Sequence, residues 1–383
     1  MAGKTVVILG GGSGGLVAAN RLRRTLGKEH RVVLVERSPV YSFAPSYTAV
    51  MLGRRDARRI SRHLANLRRK GIEVITGDVT GLDFAGKKVQ LGEQETPYDY
   101  LIIALGAEYS SAEIPGLGKA WTYYHLDGAE GLREELPRFT AGRVAVVVSA
   151  LPYKCPAAPY EGALLLDDYF RRKKLRGQVE IRMFTPERQP LPVAGEAVGQ
   201  AVVKLLERQE IGYTPNVKLK EIDHDAKTLR FESAVEAPFD MVIATPLHRV
   251  PPVLVAAGLA AEGGWVPVDR ETLATRFEDV YAIGDVNTIP LANGMALPKA
   301  GVFAHGEAEV VSRNIAAQIN EGAPVWAFGG QGACFLETSR SKAAYATGHF
   351  FAEPDPEVTL RGPSSFWHWA KIGFERLWLW RWF

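Results

Sequence analysis

Two cysteines, Cys155 and Cys334, are the only thiols in 383 residues. Two thiols cannot scaffold a chain of this length, so each needs its own explanation. Cys155 sits in Tyr153-Lys154-Cys155-Pro156, with Ala158-Pro159-Tyr160-Glu161 following. A lysine on one side and the start of a helix on the other both favour a thiolate, which is the nucleophilic and redox-active form. Cys334 lies in Gly332-Ala333-Cys334-Phe335-Leu336-Glu337. Taken alone it reads as an ordinary buried, inert thiol.

A second chemistry is written in glycine. Gly10-Gly11-Gly12-Ser13-Gly14-Gly15 holds G-x-G-x-x-G at Gly10, Gly12 and Gly15. Gly10 permits a tight turn, Gly12 lets backbone approach a pyrophosphate, and Gly15 lets a helix pack on a strand. The N–H groups at that helix start suit phosphate. Glu36, ending the next apolar run, can accept hydrogen bonds from a ribose and would reject a 2′-phosphate. The alternative is a turn with a purely structural role. The strand before, the helix after and Glu36 favour a dinucleotide.

This cluster alone does not separate FAD from NAD. Val280-Tyr281-Ala282-Ile283-Gly284-Asp285 resembles the second FAD fingerprint of the two-dinucleotide-binding flavoproteins. In those proteins the aspartate binds the ribityl chain. Ile102-Ile103-Ala104-Leu105-Gly106-Ala107 resembles their linker motif, and Pro298-Lys299-Ala300-Gly301 the loop entering a helix aimed at the flavin. Such a helix N-terminus favours the negative charge of a reduced ring.

The elements that must position these residues form two α/β halves. The first opens with a strand at Thr5–Leu9, a helix at Leu16–Leu26 and a strand at Arg31–Glu36. A basic helix over Ala57 to Lys70 comes next, then strands at Glu73–Thr76, Lys87–Leu91 and Tyr98–Ala104. The second half starts at strand Arg143–Ser149 and continues through Glu180–Phe184, Thr228–Phe231 and Met241–Thr245. The strand Val280–Asp285 and a helix from Gly301 to Asn320 complete the flavin motif. The fold class expected is α/β: two Rossmann-like dinucleotide-binding domains plus a C-terminal amphipathic, membrane-associating region. The boundaries are 1–110 and 251–323 for the FAD domain, 111–250 for the second Rossmann-like domain and 324–383 for the C-terminal region.

The second half lacks the glycines of the first. After Val144–Ser149 comes Ala150-Leu151-Pro152-Tyr153-Lys154-Cys155-Pro156-Ala157-Ala158-Pro159-Tyr160-Glu161. Prolines remove backbone donors, and bulky side chains occupy the path a pyrophosphate would take. Nicotinamide binding is expected to be lost here, and a cysteine stands in its place.

Composition bounds the rest. The hydrophobic fraction is 46%, the charged fraction 23% and the formal net charge +3. That describes folded soluble domains and gives no support to nucleic-acid binding. The basic runs Arg54 to Arg69 and Arg171 to Arg176 read as solvated helix faces. No cleavable signal and no long uncharged apolar run is visible, so the cytoplasm is the expected compartment.

With Tyr153 to Glu161, the Cys334 segment and Pro298-Lys299-Ala300-Gly301-Val302-Phe303-Ala304, nearly the whole chain resembles the sulfide:quinone oxidoreductases. The flavoprotein subunit of flavocytochrome c sulfide dehydrogenase is close kin. The resemblance implies that Cys155 and Cys334 bridge one face of FAD through a disulfide or sulfur chain. Sulfide attacks the bridge, a persulfide forms and electrons reach a membrane quinone through the flavin. Glu161 matches a proton-handling glutamate and Lys299 a lysine near the flavin carbonyl. The implied cofactor contacts are Gly10, Gly12, Ser13, Gly14, Gly15, Glu36, Arg37, Val79, Ala104, Gly106, Gly284, Asp285 and Lys299. No metal is implied. There is one departure. The family's third cysteine and a following histidine are absent from Tyr123-Tyr124-His125-Leu126-Asp127-Gly128-Ala129, where Gly128 takes the histidine's place. His125 is either a substitute or a structural residue.

The chain ends in a segment with five tryptophans, Phe366 to Phe383. On a helix, His368, Lys371 and Glu375 share one face. Most of the rest is aromatic or aliphatic, which reads as an anchor at a membrane interface. The alternative is a helix buried on the body or in a dimer. The implied partners are sulfide or polysulfide, a membrane quinone, a peripheral membrane surface on the cytoplasmic side and a second copy of the chain. Two other functions remain open: a type II NADH:quinone oxidoreductase, and a flavoprotein sensor switching on its cysteines.

Overall fold

The computed structural model describes residues 3–383. The first half supplies β1 (Thr5–Leu9), α1 (Ser13–Thr25), β2 (Arg31–Glu36), β3 (Glu73–Thr76) and β4 (Tyr100–Ile103). The second supplies α2 (Leu126–Glu135), β5 (Gly142–Val147), α3 (Ala158–Arg172) and β6 (Val179–Phe184). It continues with α4 (Glu196–Arg208), β7 (Gly212–Thr214) and β8 (Met241–Ala244). The chain then returns with β9 (Val280–Ala282) and α5 (Gly301–Ile319). It ends in β10 (Gln331–Ser339), β11 (Lys342–His349), β12 (Glu357–Ser364) and α6 (Ser365–Trp382).

Val6, Val7, Ile8 and Leu9 are all fully buried. An unbroken apolar run of this kind belongs to a strand covered on both faces. The first sheet is parallel throughout, in the order β9-β4-β1-β2-β3. The second is also parallel, in the order β7-β6-β5-β8. Each half thus repeats the 3-2-1-4 order of a doubly wound fold, whose ligands sit beyond the strands' carboxyl ends. A two-stranded link, Glu108–Ser110 against Leu247–Arg249, joins the halves. The C-terminal strands form an antiparallel sheet, β10-β11-β12.

Two sequence expectations change. Ala57 to Lys70 is not one helix. It is two 3-10 turns, Ala57–Arg59 and Leu64–Lys70, around a short strand at Ser61–His63 that pairs with Val40–Ser42. Ile60, Leu64 and Leu67 are buried at helical spacing, but the pairing of Ser61–His63 interrupts the helix between them. Thr228–Phe231 and Lys88–Leu91 do not join the parallel sheets. Each is the middle strand of a separate antiparallel triplet. Their alternate residues are partly or fully open to solvent, whereas Met241–Ala244 is buried throughout. Alternation marks a strand with one wet face.

Candidate active site

The glycine turn has the geometry its residues require. Gly10 has φ +99°, and a Cβ there would stand 2.3 Å from the Ala104 carbonyl oxygen. A Cβ on Gly15 would stand 1.8 Å from the Gly10 oxygen. Gly12 meets nothing within 4 Å, so its side is open to a ligand. Gly12 caps α1 with no side-chain hydrogen bond, and no acid occupies the first turn, where Ser13 and Gly14 begin the helix. Glu36 ties the turn down: its carboxylate accepts from Gly11 N–H at 2.6 Å and Ser38 N–H at 3.1 Å. Arg37 is engaged with Glu108 at 3.5 Å. Val79 packs on the cluster behind β1 and β2. Gly106, with φ +68°, is open on its Cβ side.

Asp285 carries a test of the flavin assignment. It is densely enclosed, and its Oδ1 has no hydrogen-bond partner among the described residues. Burial raises its pKa, against the pull of Lys154 and Lys299. An orphaned buried acceptor needs a donor, and a ribityl hydroxyl is one. Gly284 N–H and Asn287 Nδ2 both donate to Glu307, at 2.6 and 2.9 Å. Burial pushes Glu307 up to about 7. Lys299 donates through Nζ to the carbonyls of Asp285 and Asn287, at 2.8 and 2.9 Å. Its ammonium lies 3.5 Å from the centre of the Trp265 ring. Burial lowers it to about 8. The helix α5 that comes after this loop starts uncapped and without acids in its first turn. Gly12, the bare starts of α1 and α5, and the unpaired Asp285 oxygen together fit FAD.

The loop after β5 is filled rather than open. Tyr153 and Tyr160 are buried, and both donate their hydroxyls to Glu187 Oε2, as does Thr185. Glu187 comes just after β6, as Glu36 ends β2. In the first half that carboxylate is held by backbone N–H groups, and here it is consumed by three hydroxyls. Burial raises its pKa.

Cys155 has φ +50°, a left-handed conformation that costs a non-glycine residue about 1–2 kcal/mol. Its N–H donates to the Lys299 carbonyl at 2.7 Å, fixing the thiol's loop to the entry of α5. Enclosure works against the expected thiolate. Burial pushes the Cys155 thiol up to about 12, Asp285 adds to this, and Lys154 offsets it only in part. The Lys154 ammonium instead rests over the Tyr109 ring, 4.9 Å from its centre. Beside it, burial and Lys154 lower His248 to about 3, so the imidazole is neutral.

Strand β10 packs on α3 and brings Cys334 near enough for its charge to raise Cys155. Both cysteines are free. Burial, then Glu161, pushes Cys334 up to about 11. Behind the two thiols lies a buried charge cluster that sequence reasoning missed. Glu161 accepts from Thr48 Oγ1 at 2.8 Å and from Glu337 N–H at 2.9 Å. Lys371 Nζ, from α6, reaches both Glu161 oxygens at 3.2 Å and Glu337 Oε2 at 3.1 Å. His368 meets Glu337 Oε1 at 3.0 Å. Burial raises Glu161, with Lys371 pulling back. Burial also opposes the charge on Glu337, but Lys371, His368 and Arg54 outweigh it and hold that carboxyl far below its usual range. One lysine therefore serves two carboxylates, of which Glu161 more readily takes a proton.

The face shared by His368, Lys371 and Glu375 is therefore turned inward. His368 and Glu375 are buried, as are Trp378 and Trp382 on the same stripe. Glu375 is bonded by Arg55 and Ser46. Phe366, Trp369, Leu377 and Trp380 point the other way and are 52–78% exposed. No helix among the described residues is long and apolar enough to cross a membrane. His125 is structural: its Nδ1 accepts from Gly128 N–H at 3.0 Å and caps α2. A Cβ on Gly128 would meet the Thr122 oxygen at 2.3 Å, so the position is closed to a side chain.

The sequence profile of the pyridine nucleotide-disulphide oxidoreductases matches residues 4–308. The chain belongs to that family. The mitochondrial sulfide:quinone oxidoreductase of Mus musculus is 26% identical over 363 residues, covering 91% of this chain and 79% of that protein. The solved sulfide:quinone oxidoreductase of Aquifex aeolicus superposes with a TM-score of 0.89 at 24% identity. The match covers 99% of this chain and 91% of that one, and establishes the fold. A type II NADH:quinone oxidoreductase of Haemophilus influenzae is 25% identical, covering 82% of this chain and 80% of that protein.

Proposed function

We propose that this chain is an FAD-dependent sulfide:quinone oxidoreductase, oxidising sulfide to polysulfide or sulfur at Cys155 and Cys334. The observation that carries the reading is the loop after β5. Where a nicotinamide pyrophosphate would need bare backbone, Tyr153, Tyr160 and Glu187 form a closed hydrogen-bonded plug and Cys155 is pinned toward the flavin side. The sulfide:quinone oxidoreductases among the relatives support it.

FAD would be held by Gly10 to Gly15, Glu36, Arg37, Val79, Ala104, Gly106, Gly284, Asp285 and Lys299. With Cys155 and Cys334 joined as a disulfide, hydrosulfide attacks one sulfur and the S–S bond breaks. One cysteine then carries a persulfide and the other leaves as a thiolate. Closure of thiolate and persulfide into a trisulfide releases one proton and two electrons. FAD held by these residues would supply the two-electron acceptor for that closure, with quinone as the final oxidant. Enclosure and Asp285 make a free thiolate costly at Cys155, which favours the bridged resting form. Glu161, raised by burial and acting through its charge on Cys334, would take the released proton while Lys371 holds it in position. The reading includes residues 1–110 and 251–323 as the FAD domain and 111–250 as the plugged second domain. Residues 324–383 then face quinone and membrane, with the chain peripheral on the cytoplasmic side. The outward aromatic stripe of α6 supports that position.

Steady-state quinone reduction by sulfide tests this. Cys155→Ser and Cys334→Ser are each expected to lower kcat by at least about a thousandfold while retaining FAD. A variant that keeps its rate contradicts the two-cysteine chemistry.

A further inference from the structure

The basic run from Arg54 to Arg69, which reads in sequence as a solvated face, has a definite place in the fold. It forms one wall of a surface groove of about 700 Å³ whose other wall is the last half of α6, with Trp380, Leu379 and Phe383. Seven arginines line this groove against two carboxylates, Asp56 and Glu375. Glu375 is already taken by Arg55. Arg59, Arg62, Arg69, Arg133 and Arg376 have no carboxylate within 4.0 Å among the described residues, although they come from three separate stretches of chain. Arg54 Nη1, also on the groove, is buried with no partner. Like charges gathered without counter-charge are unfavourable, and fixed guanidinium forks match a phosphate diester.

The same end of α6 is apolar on its outer side. Trp380 is 78% exposed and Leu377 52% exposed, and Phe366 and Trp369 continue the stripe. Arginine above and tryptophan beside it suit a surface that is ionic at its headgroups and greasy just beneath. A nucleic acid would meet the arginines but not the aromatic stripe. A second copy of this positively charged groove would be repelled.

We propose that the groove between the 54–69 segment and α6 is a docking site for the phosphodiester headgroup of an anionic phospholipid, so that the protein selects anionic bilayers. This rests on the peripheral membrane reading above and adds lipid selectivity to it.

The test is co-sedimentation of the FAD-loaded protein with vesicles of phosphatidylcholine alone, or with a third of it replaced by phosphatidylglycerol. Wild type is expected to partition at least about tenfold more strongly onto the anionic vesicles, with the gain lost at high salt. The triple variant Arg59→Gln, Arg69→Gln, Arg376→Gln is expected to lose that gain while keeping its FAD, its melting temperature and its weaker binding to phosphatidylcholine. Trp369→Ser with Trp380→Ser is expected to weaken binding to both vesicles. Equal binding of wild type to both vesicles overturns the headgroup site and leaves the membrane reading standing, as does selectivity that survives in the triple variant. No binding to either vesicle overturns both, and a dimer dissociated by the triple variant would then assign the groove to a second copy.

Discussion

The two α/β halves share one strand order and differ in the segment after the first strand. After β1 the chain is glycine: backbone turns tightly, a helix starts bare, and Gly12 faces open space. After β5 it is proline, tyrosine and cysteine, and the carboxylate beyond the second strand is saturated by Tyr153, Tyr160 and Thr185. A dinucleotide cradle is mostly missing side chains. Filling it converts the same scaffold into a mount for a thiol. The first half is held by close backbone contacts and the second by buried polar side chains, so they should fail differently.

The largest effect is expected in the first half. Gly15→Val places atoms where the Gly10 oxygen stands, and the clash is with backbone that cannot swing aside. Purified protein should carry almost no FAD, read from its visible absorbance, and full occupancy would contradict the cradle. Next is Lys371→Met, which leaves Glu161 and Glu337 buried together without their shared cation. Removing one partner of such a group costs about 3–5 kcal/mol. The melting temperature should fall sharply, and a shift within error would show that the cluster does not hold the site.

A smaller effect concerns pH. Glu337 is depressed from its usual 4.5, so it stabilises the fold where it is ionised in both states, and that contribution is lost as pH falls below 4.5. Thermal stability should decline on acidification from about pH 5, and Glu337→Gln should flatten the decline. An unchanged slope in the variant would assign the acid sensitivity elsewhere. The smallest effect is expected for Tyr153→Phe, which removes one of three hydroxyls on Glu187 and should cost about 1 kcal/mol without opening the loop to NADH. Gained NADH oxidation would show that the plug, rather than the whole loop, excludes the nucleotide.

Local motifs were legible in the sequence because their physics is local. Gly10 to Gly15, Gly284-Asp285, the absence of glycine after β5 and the terminal helix all depend on neighbours within a few residues. What stayed hidden depends on distant chain. The acidity of Cys155 is set mainly by enclosure and by Asp285, which outweigh Lys154 next to it. Periodicity puts His368, Lys371 and Glu375 on one face of α6, but that this face turns inward is set by distant partners at Glu337, Glu161 and Arg55. Ala57 to Lys70 looks helical because Ile60, Leu64 and Leu67 recur at helical spacing, while its strand is set by pairing with Val40–Ser42.

The contrast between the halves is tested most directly by anaerobic titration of the oxidised flavin. Sulfide is expected to bleach the visible band of the wild type stoichiometrically, NADH to leave it unchanged, and Cys155→Ser to be inert to sulfide. Bleaching by NADH, or a flavin that stays oxidised in excess sulfide, would contradict it.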